Sequence, residues 1–255
     1  MKRFFAAETT KSPEEIEKFK NYAMEWWNPN SRTGSGMLHH MNPSRLVFID
    51  HTIENHFISS KYKGNGDLTN IDILDIGCGG GLLSEEMARR GANVIGIDPC
   101  KECIDIAQYH ASLTDNWKGT LQYENSTVED QMNKNKKYDI VFALEVIEHV
   151  SDFPFFMKNV SKLTKTGGLV IFSTINKTLL GWINYIYIYR YILHILPVGT
   201  HDYKKFISDR KLHHELEKNQ FRLLQIKGIL PNPITWNTHL VPFHWCFYIC
   251  SAIKL

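Results

Sequence analysis

The sequence predicts an α/β fold built on a mostly parallel sheet, and three features carry that expectation. Short β-branched runs alternate with helical patterns over residues 71–173, an order that lays strands side by side with helices crossing between them. The first run, 71–76, ends at Gly77-Cys78-Gly79-Gly80-Gly81 and leads into a helical stretch over 82–90, the pattern of a buried strand that turns sharply into a helix. Near the C-terminus the rhythm breaks. Runs at 222–229 and 243–252 are joined by a Pro-rich, hairpin-like connection, so a seventh strand finishes the sheet antiparallel.

The remaining elements follow in order. Ser12-Pro13-Glu14-Glu15 is a helix start, with Ser12 as N-cap, Pro13 in the first helical position and Glu15 closing a capping box. Ile16, Phe19, Ala23 and Trp26 recur at helical spacing up to Asn28-Pro29, giving an amphipathic cover for the domain. A loop over 30–41 precedes a second helix that starts near Asn42-Pro43 and runs through Leu46, Ile49, Ile53 and Phe57, with Arg45 in its first turn facing what the cover encloses. After a polar linker at 61–70, strands are expected at 93–98, 120–124, 138–144 and 169–173. Helices are expected at 101–113, near Val128 and at 152–163, with Gly167-Gly168 turning back into the fifth strand.

Composition narrows the function. The 255 residues are 43% hydrophobic and 22% charged, which suits one globular domain with additions and excludes disordered or fibrous classes. A net charge of +2 without a long basic block gives no electrostatic footprint for nucleic acid, so no such partner is expected. Five cysteines, an odd number without framework spacing, point to a reducing compartment. Cys100-Lys101-Glu102-Cys103 is a CxxC that could be redox-active or hold metal, but no second pair at zinc-finger spacing accompanies it. Neither His39-His40 nor His213-His214 sits in a metal-ligand pattern. The basic, apolar start Met1-Lys2-Arg3-Phe4-Phe5-Ala6-Ala7 is too short to be a signal or transit peptide alone and is expected to be the stub of a leader.

The glycine cluster is where chemistry enters. Glycines permit backbone angles closed to other residues and let a ligand lie on the main chain, and the N–H groups opening the next helix point at that ligand. A dinucleotide fingerprint would need glycine at position 82, where this chain has Leu82. The G-C-G-G-G spacing after Asp75 instead resembles motif I of the class I S-adenosylmethionine (SAM) methyltransferases; a non-binding turn is the remaining reading. Asp98 ends the next β run about 20 residues on, where a carboxylate accepts both ribose hydroxyls. Its other reading is a helix N-cap. Ligands belong beyond the carboxyl ends of the strands, where Gly77, Asp98 and Leu144 all fall.

A wider set of motifs resembles one family. These are Asp75 to Gly81, Met41-Asn42-Pro43-Ser44-Arg45, Trp26-Trp27, Glu145-Val146-Ile147-Glu148-His149-Val150, Ser173-Thr174-Ile175-Asn176-Lys177-Thr178 and Gly199-Thr200-His201-Asp202-Tyr203-Lys204-Lys205-Phe206-Ile207. Together they resemble the ubiquinone biosynthesis O-methyltransferases from about Ile16 to the hairpin near Asn232-Pro233. The resemblance implies a Rossmann-like class I methyltransferase fold, with residues 1–60 as a helical cover and 61–255 as the SAM-dependent domain. It implies methylation of catechol hydroxyls on polyprenylated ubiquinone precursors, at the polyprenyl-dihydroxybenzoate and demethylubiquinol steps. It also implies SAM contacts from Arg45 (toward the methionine carboxylate), Gly77, Gly79, Asp98 and the backbone at Leu144, where the family often carries methionine.

Methyl transfer from a sulfonium is an in-line displacement, so the protein must align the reacting atoms and supply a nucleophilic phenolate. Glu145, Glu148 and His149 follow strand four, beside the donor's methyl. Two carboxylates and an imidazole in five residues can hold one divalent cation that chelates a catechol; equally, the histidine can pack or act as base. The resemblance implies magnesium on this triad as well as catalysis by it, although oxygen and nitrogen ligands also suit Mn²⁺ or Zn²⁺. Residues 179–197 form an insertion dense in Ile, Leu, Tyr and Trp182, interrupted by Asn184, Arg190 and His194. It is too polar to span a bilayer and is expected to be a lid, a helix lying in the membrane interface, or both. A mitochondrial inner membrane on the matrix side is the expected place, with a bacterial cytoplasm or inner membrane face as the alternative. Membership of a ubiquinone biosynthetic complex is an expected partnership. The competing readings are a SAM-binding scaffold subunit of that complex and a methyltransferase for another small phenol or amine.

Overall fold

The computed structural model describes residues 9–20, 23–31, 35–57, 59, 61–178, 205–232 and 235–255; the insertion expected at 179–197 lies outside the described residues. Eight strands form one sheet in the order β3-β2-β1-β4-β5-β8-β6-β7. They are β1 (Asp72–Ile76), β2 (Asn93–Asp98), β3 (Thr120–Asn125), β4 (Tyr138–Leu144), β5 (Thr164–Ile175), β6 (Phe221–Pro231), β7 (Thr238–Val241) and β8 (Phe247–Lys254). The first five pair in parallel. β8 runs antiparallel between β5 and β6, and β7 pairs antiparallel with β6 at the edge. The antiparallel finish matches the sequence reading. The eighth strand, however, is the short run 238–241 inside what read as a connection.

The reason the central strands read as continuous apolar runs is visible in their burial. Leu74, Val141, Ala143, Val170 and Phe172 face one layer, built from α5 (Val128–Met132), α6 (Phe153–Leu163) and α7 (Asp209–Lys218). Their alternating neighbours Ile73, Ile140, Phe142, Leu169 and Ile171 face the other, which holds α2 (Ser35–His56) and α3 (Leu82–Arg89). Side chains alternate across a strand, so a sheet covered on both faces needs apolar residues at every position. α4 (Lys101–Ala111) closes the β2–β3 side through Ile104 and Ala107, packed on Cys78 and Tyr123.

Three local expectations change. The N-terminal helix is α1 (Pro13–Lys20), followed by a separate 3₁₀ turn at Ala23–Glu25, rather than one helix to Asn28. α2 starts at Ser35, seven residues before the expected Asn42, and carries Pro43 inside it. The missing proline N–H costs a rung of the helix, but this turn is anchored from outside. The Thr238 hydroxyl donates to the His40 carbonyl (3.0 Å) and the Ser44 hydroxyl to the Thr238 carbonyl (2.6 Å). Gly167-Gly168 lies within β5, where the pairing with β4 shifts register between Tyr138 and Ile140, instead of forming a turn before it. Among the described residues no helix is long and apolar enough to cross a membrane.

Phe142 is fully buried at the centre of the sheet. Phe142→Ala is expected to lower the unfolding free energy by about 3–5 kcal/mol, read from denaturant unfolding followed by circular dichroism. A loss under about 1 kcal/mol would mean that this strand is not central to the core.

Candidate active site

The sheet order reverses between β1 and β4, which are neighbours although their following helices cover opposite faces. In a doubly wound sheet a crevice opens at that point beyond the carboxyl ends of the strands. Here it is a cavity lined by Asp75, Gly77, Asp98, Leu144, Glu145 and His149 from the strand ends, and by Arg45 from α2. The chain reverses tightly after β1: Gly77 has φ +67° and both Gly77 N and Cys78 N donate to the Ile97 carbonyl, at 2.8 and 3.0 Å. A Cβ on Gly77 would meet Val146 at 2.4 Å, so the turns after β1 and β4 touch only because this residue has no side chain.

Asp98 is the anchor of the donor end. Its carboxylate accepts from Gly79 N at 3.0 Å and from Cys100 N at 2.8 Å, which fixes it between the glycine turn and the start of α4. Each carboxylate oxygen keeps a further lone pair for a ribose hydroxyl. Burial raises its pKa to about 6 despite these two amides. Asp75, deeper in the floor, takes the Ser84 hydroxyl at 2.6 Å, and burial raises it to about 7. Both acids are therefore held above the usual carboxylate range by burial, Asp75 with the charge of Asp98 adding to it.

The acceptor end holds the residues expected to act in catalysis, but they have different partners. Glu145 adopts a left-handed φ of +57°, uncommon outside glycine. Its carboxylate takes Arg45 Nη2 at 3.0 Å and the Ser173 hydroxyl at 2.7 Å. Arg45 Nε is buried with no partner, a donor suited to the methionine carboxylate of SAM. His149 Nδ1 lies 2.8 Å from Glu15 of α1. Glu148 does not line the cavity: it is 2% exposed behind it, both carboxylate oxygens lack a hydrogen-bond partner, and burial raises its pKa to about 7. Among the described residues no three His, Cys, Asp or Glu side chains gather as a metal-binding group. As placed, with a guanidinium on Glu145 and a carboxylate on His149, the three residues do not fit a divalent cation.

The cover contributes residues that the sequence reading gave only local roles. Glu15, expected to close a capping box, is 4% exposed and also takes Lys205 Nζ at 2.6 Å and Lys18 Nζ at 3.0 Å. Although burial opposes its charge, His149, Lys205 and Lys18 together hold its carboxyl well below the usual range, so it stays ionised. Trp26 lies against the glycine turn so closely that a Cβ on Gly79 would meet its ring at 2.0 Å. Gly79 therefore serves by its amide on Asp98 and by admitting Trp26, and it does not itself line the cavity. Trp27 donates from Nε1 to the Gly80 carbonyl at 2.9 Å and stacks on His110 with 3.4 Å between ring centroids. No spacing signal marks Glu15 or the tryptophans as site residues. Trp27 lies 53 positions from Gly80, and Glu15 lies 134 from His149 and 190 from Lys205.

A doubly wound sheet with an antiparallel finish, a glycine turn and an acid at the end of β2 defines a class I SAM-dependent methyltransferase. The chain is similar over 94% of its length, with a TM-score of 0.67 and 17% identity, to magnesium protoporphyrin IX methyltransferase from Synechocystis, covering 98% of that chain, which was solved with bound SAH. A methyltransferase domain family model matches residues 37–226. Curated relatives named ubiquinone biosynthesis O-methyltransferase are 42% identical over 84% of this chain and 86% of the relative in Pelagibacter ubique. In Bartonella tribocorum one is 40% identical over 90% of this chain and 91% of the relative. The chain belongs to the ubiquinone biosynthesis O-methyltransferase family.

Two charge-assisted hydrogen bonds to the ribose are each worth about 1.5–3 kcal/mol, so Asp98→Ala is expected to weaken SAM binding at least about tenfold. Because burial raises the Asp98 pKa to about 6, the accepting carboxylate is present above that pH and lost below it. Affinity measured by calorimetry should therefore fall as pH drops from about 7 to about 5. Equal affinity in the variant, or a flat pH profile, would remove Asp98 from the donor site.

Proposed function

We propose that this enzyme transfers the methyl group of SAM to a catechol hydroxyl of polyprenylated ubiquinone precursors, at the polyprenyl-dihydroxybenzoate and demethylubiquinol steps. The observation that carries the reading is the His149–Glu15 pair on the wall of the cavity, next to the end of β4. A carboxylate on Nδ1 fixes the imidazole tautomer so that Nε2 is the basic nitrogen. His149 then takes the phenol proton as the oxygen attacks the methyl carbon and the donor leaves as its thioether. The names of the bacterial relatives support the substrate class.

Glu145, Glu148 and His149 remain the proposed catalytic set. Glu145 steadies Arg45 for the donor carboxylate, and Glu148 is a buried acid behind the base. Arg45, Gly77, Asp98 and the Leu144 backbone are the proposed donor contacts, with Gly79 acting through its amide on Asp98, residues 1–60 as the cover and 61–255 as the catalytic domain. A metal-assisted form, with Mg²⁺ on the triad, requires Glu145 to give up Arg45 and His149 to give up Glu15. The apolar, tyrosine-rich sequence of 179–197 supports a peripheral membrane contact that would present a polyprenyl tail. The relatives' bacterial sources support the bacterial inner membrane face over a mitochondrial one, and a ubiquinone biosynthetic complex there is the proposed setting.

His149→Ala is expected to lower kcat by about 10²–10⁴ on a short-chain dihydroxybenzoate while SAM affinity holds. In the same assay, EDTA should leave the rate unchanged; loss of activity restored by a divalent cation would establish the metal-assisted form. An inactive wild-type chain that binds SAM normally would favour the scaffold reading. Deleting residues 183–193 is expected to lower sedimentation with anionic vesicles several-fold, and unchanged binding would place the membrane contact elsewhere.

A further inference from the structure

The CxxC motif has no part in methyl transfer, yet the fold sets it against the donor site. Cys100 is the N-cap of α4 and Cys103 lies in its first turn. Residues three apart in a helix, with about 1.5 Å of rise per residue on a radius of about 2.3 Å, have Cα atoms about 5 Å apart, within the roughly 4.4–6.8 Å that a disulfide spans. Both thiols belong to one buried cluster, with Ala23 and Trp26 of the cover packed over them. Cys100 is 1% exposed, and the donor cavity that it lines is the side from which a small solute would approach it. Its backbone N–H is one of the two amides that hold Asp98. Cys103 is turned away toward the cover, with Sγ 3.9 Å from the Phe19 carbonyl oxygen.

The two thiols are chemically unequal. The neighbouring Cys103 thiol holds the Cys100 thiol below its ordinary pKa, as a position at a helix N-terminus also favours, while Cys100 Sγ itself points at Glu102 Oε2, 3.7 Å away. The nearness of Cys100, with burial, raises Cys103. Such a pair has an attacking sulfur and a resolving one.

We propose that Cys100 and Cys103 are a redox-modification site: a hydroperoxide entering the empty donor cavity oxidises them to an internal disulfide, and this state and donor binding exclude one another. Cys100 thiolate attacks the peroxide oxygen, breaks the O–O bond and becomes a sulfenic acid as hydroxide leaves. The Cys103 sulfur then displaces the sulfenic oxygen as water. Overall two thiols and one hydrogen peroxide give one disulfide and two waters. Drawing Cys100 toward Cys103 moves the N-cap amide off Asp98 and loosens the ribose-gripping carboxylate. A bound donor, conversely, fills the cavity through which peroxide reaches Cys100.

The test uses the full-length reduced protein, treated with hydrogen peroxide with and without saturating S-adenosylhomocysteine. Trypsin cuts after Lys101, so the disulfide joins peptide 91–101 to peptide 102–118, whereas Cys78 lies on peptide 64–89. The 91–101/102–118 link is expected, slowed about tenfold or more by the ligand, and the oxidised protein should bind S-adenosylhomocysteine about tenfold more weakly. Dithiothreitol should restore affinity. Cys103→Ser should stop at a Cys100 sulfenic acid that dimedone traps; if that variant does not fold, the wild-type peptide link and its ligand protection decide. No link, a link to 64–89, or a link that neither responds to the ligand nor changes its affinity would overturn the proposal. Because the inference rests on donor binding in this cavity, titration of the reduced protein with S-adenosylhomocysteine tests that reading separately.

Discussion

One carboxylate ties the donor end together. Asp98 sits at the last position of β2 and binds the amide of Gly79 on one side and of Cys100 on the other. Two backbone donors on one charged acceptor are among the stronger contacts a protein makes, and here they join three elements: the turn after β1, the end of β2 and the first turn of α4. With the Gly77 and Cys78 amides on the Ile97 carbonyl, that tie sets the glycine turn against the acid at the end of β2. The cost is a carboxylate held out of water, expressed as its raised pKa. The same amide that anchors Asp98 belongs to Cys100, which couples thiol chemistry to the donor site.

The acceptor end is organised by charge pairing across distant parts of the chain. Arg45 of α2 neutralises Glu145, which holds a strained backbone after β4, and Glu15 of α1 orients His149. Both pairs are largely buried, so breaking either would leave an uncompensated charge in a low-dielectric cavity. The cover therefore reaches the candidate site: α1 supplies the carboxylate on the imidazole, and Lys205, from the far side of residues 179–204, closes on the same carboxylate. This arrangement explains why the acid–imidazole cluster Glu145, Glu148 and His149 is not assembled as a cation site here. Each member has been assigned a partner, or buried, by an element other than its own.

Much of this was legible from residue order alone. Strand and helix alternation, the turn Gly77 to Gly81 and the terminal acid Asp98 are local signals, since period-2 burial, glycine freedom and the end of a β run are all read within a few residues. β1, β2 and β4 fall where the pattern puts them, and α3 begins where the glycines end. The start of α2 was obscured by Pro43, which normally opens a helix but here sits inside one because Ser44 and Thr238 anchor the turn. β7 was obscured because a four-residue edge strand exists through its partner, β6, and has little signal of its own.

By itself, then, the sequence determined the fold class, the glycine turn and the acid at the end of β2, because short-range periodicity and backbone sterics govern each of them. Tertiary structure alone decided which side chain partners which. Glu15 on His149, Arg45 on Glu145, Trp26 on Gly79 and the thiols under the cover are contacts between residues far apart in the chain or assigned by burial. The physical reason is that the pairing of charges and the close approach of backbones depend on desolvation and distance, which exist only once the cover has docked on the sheet.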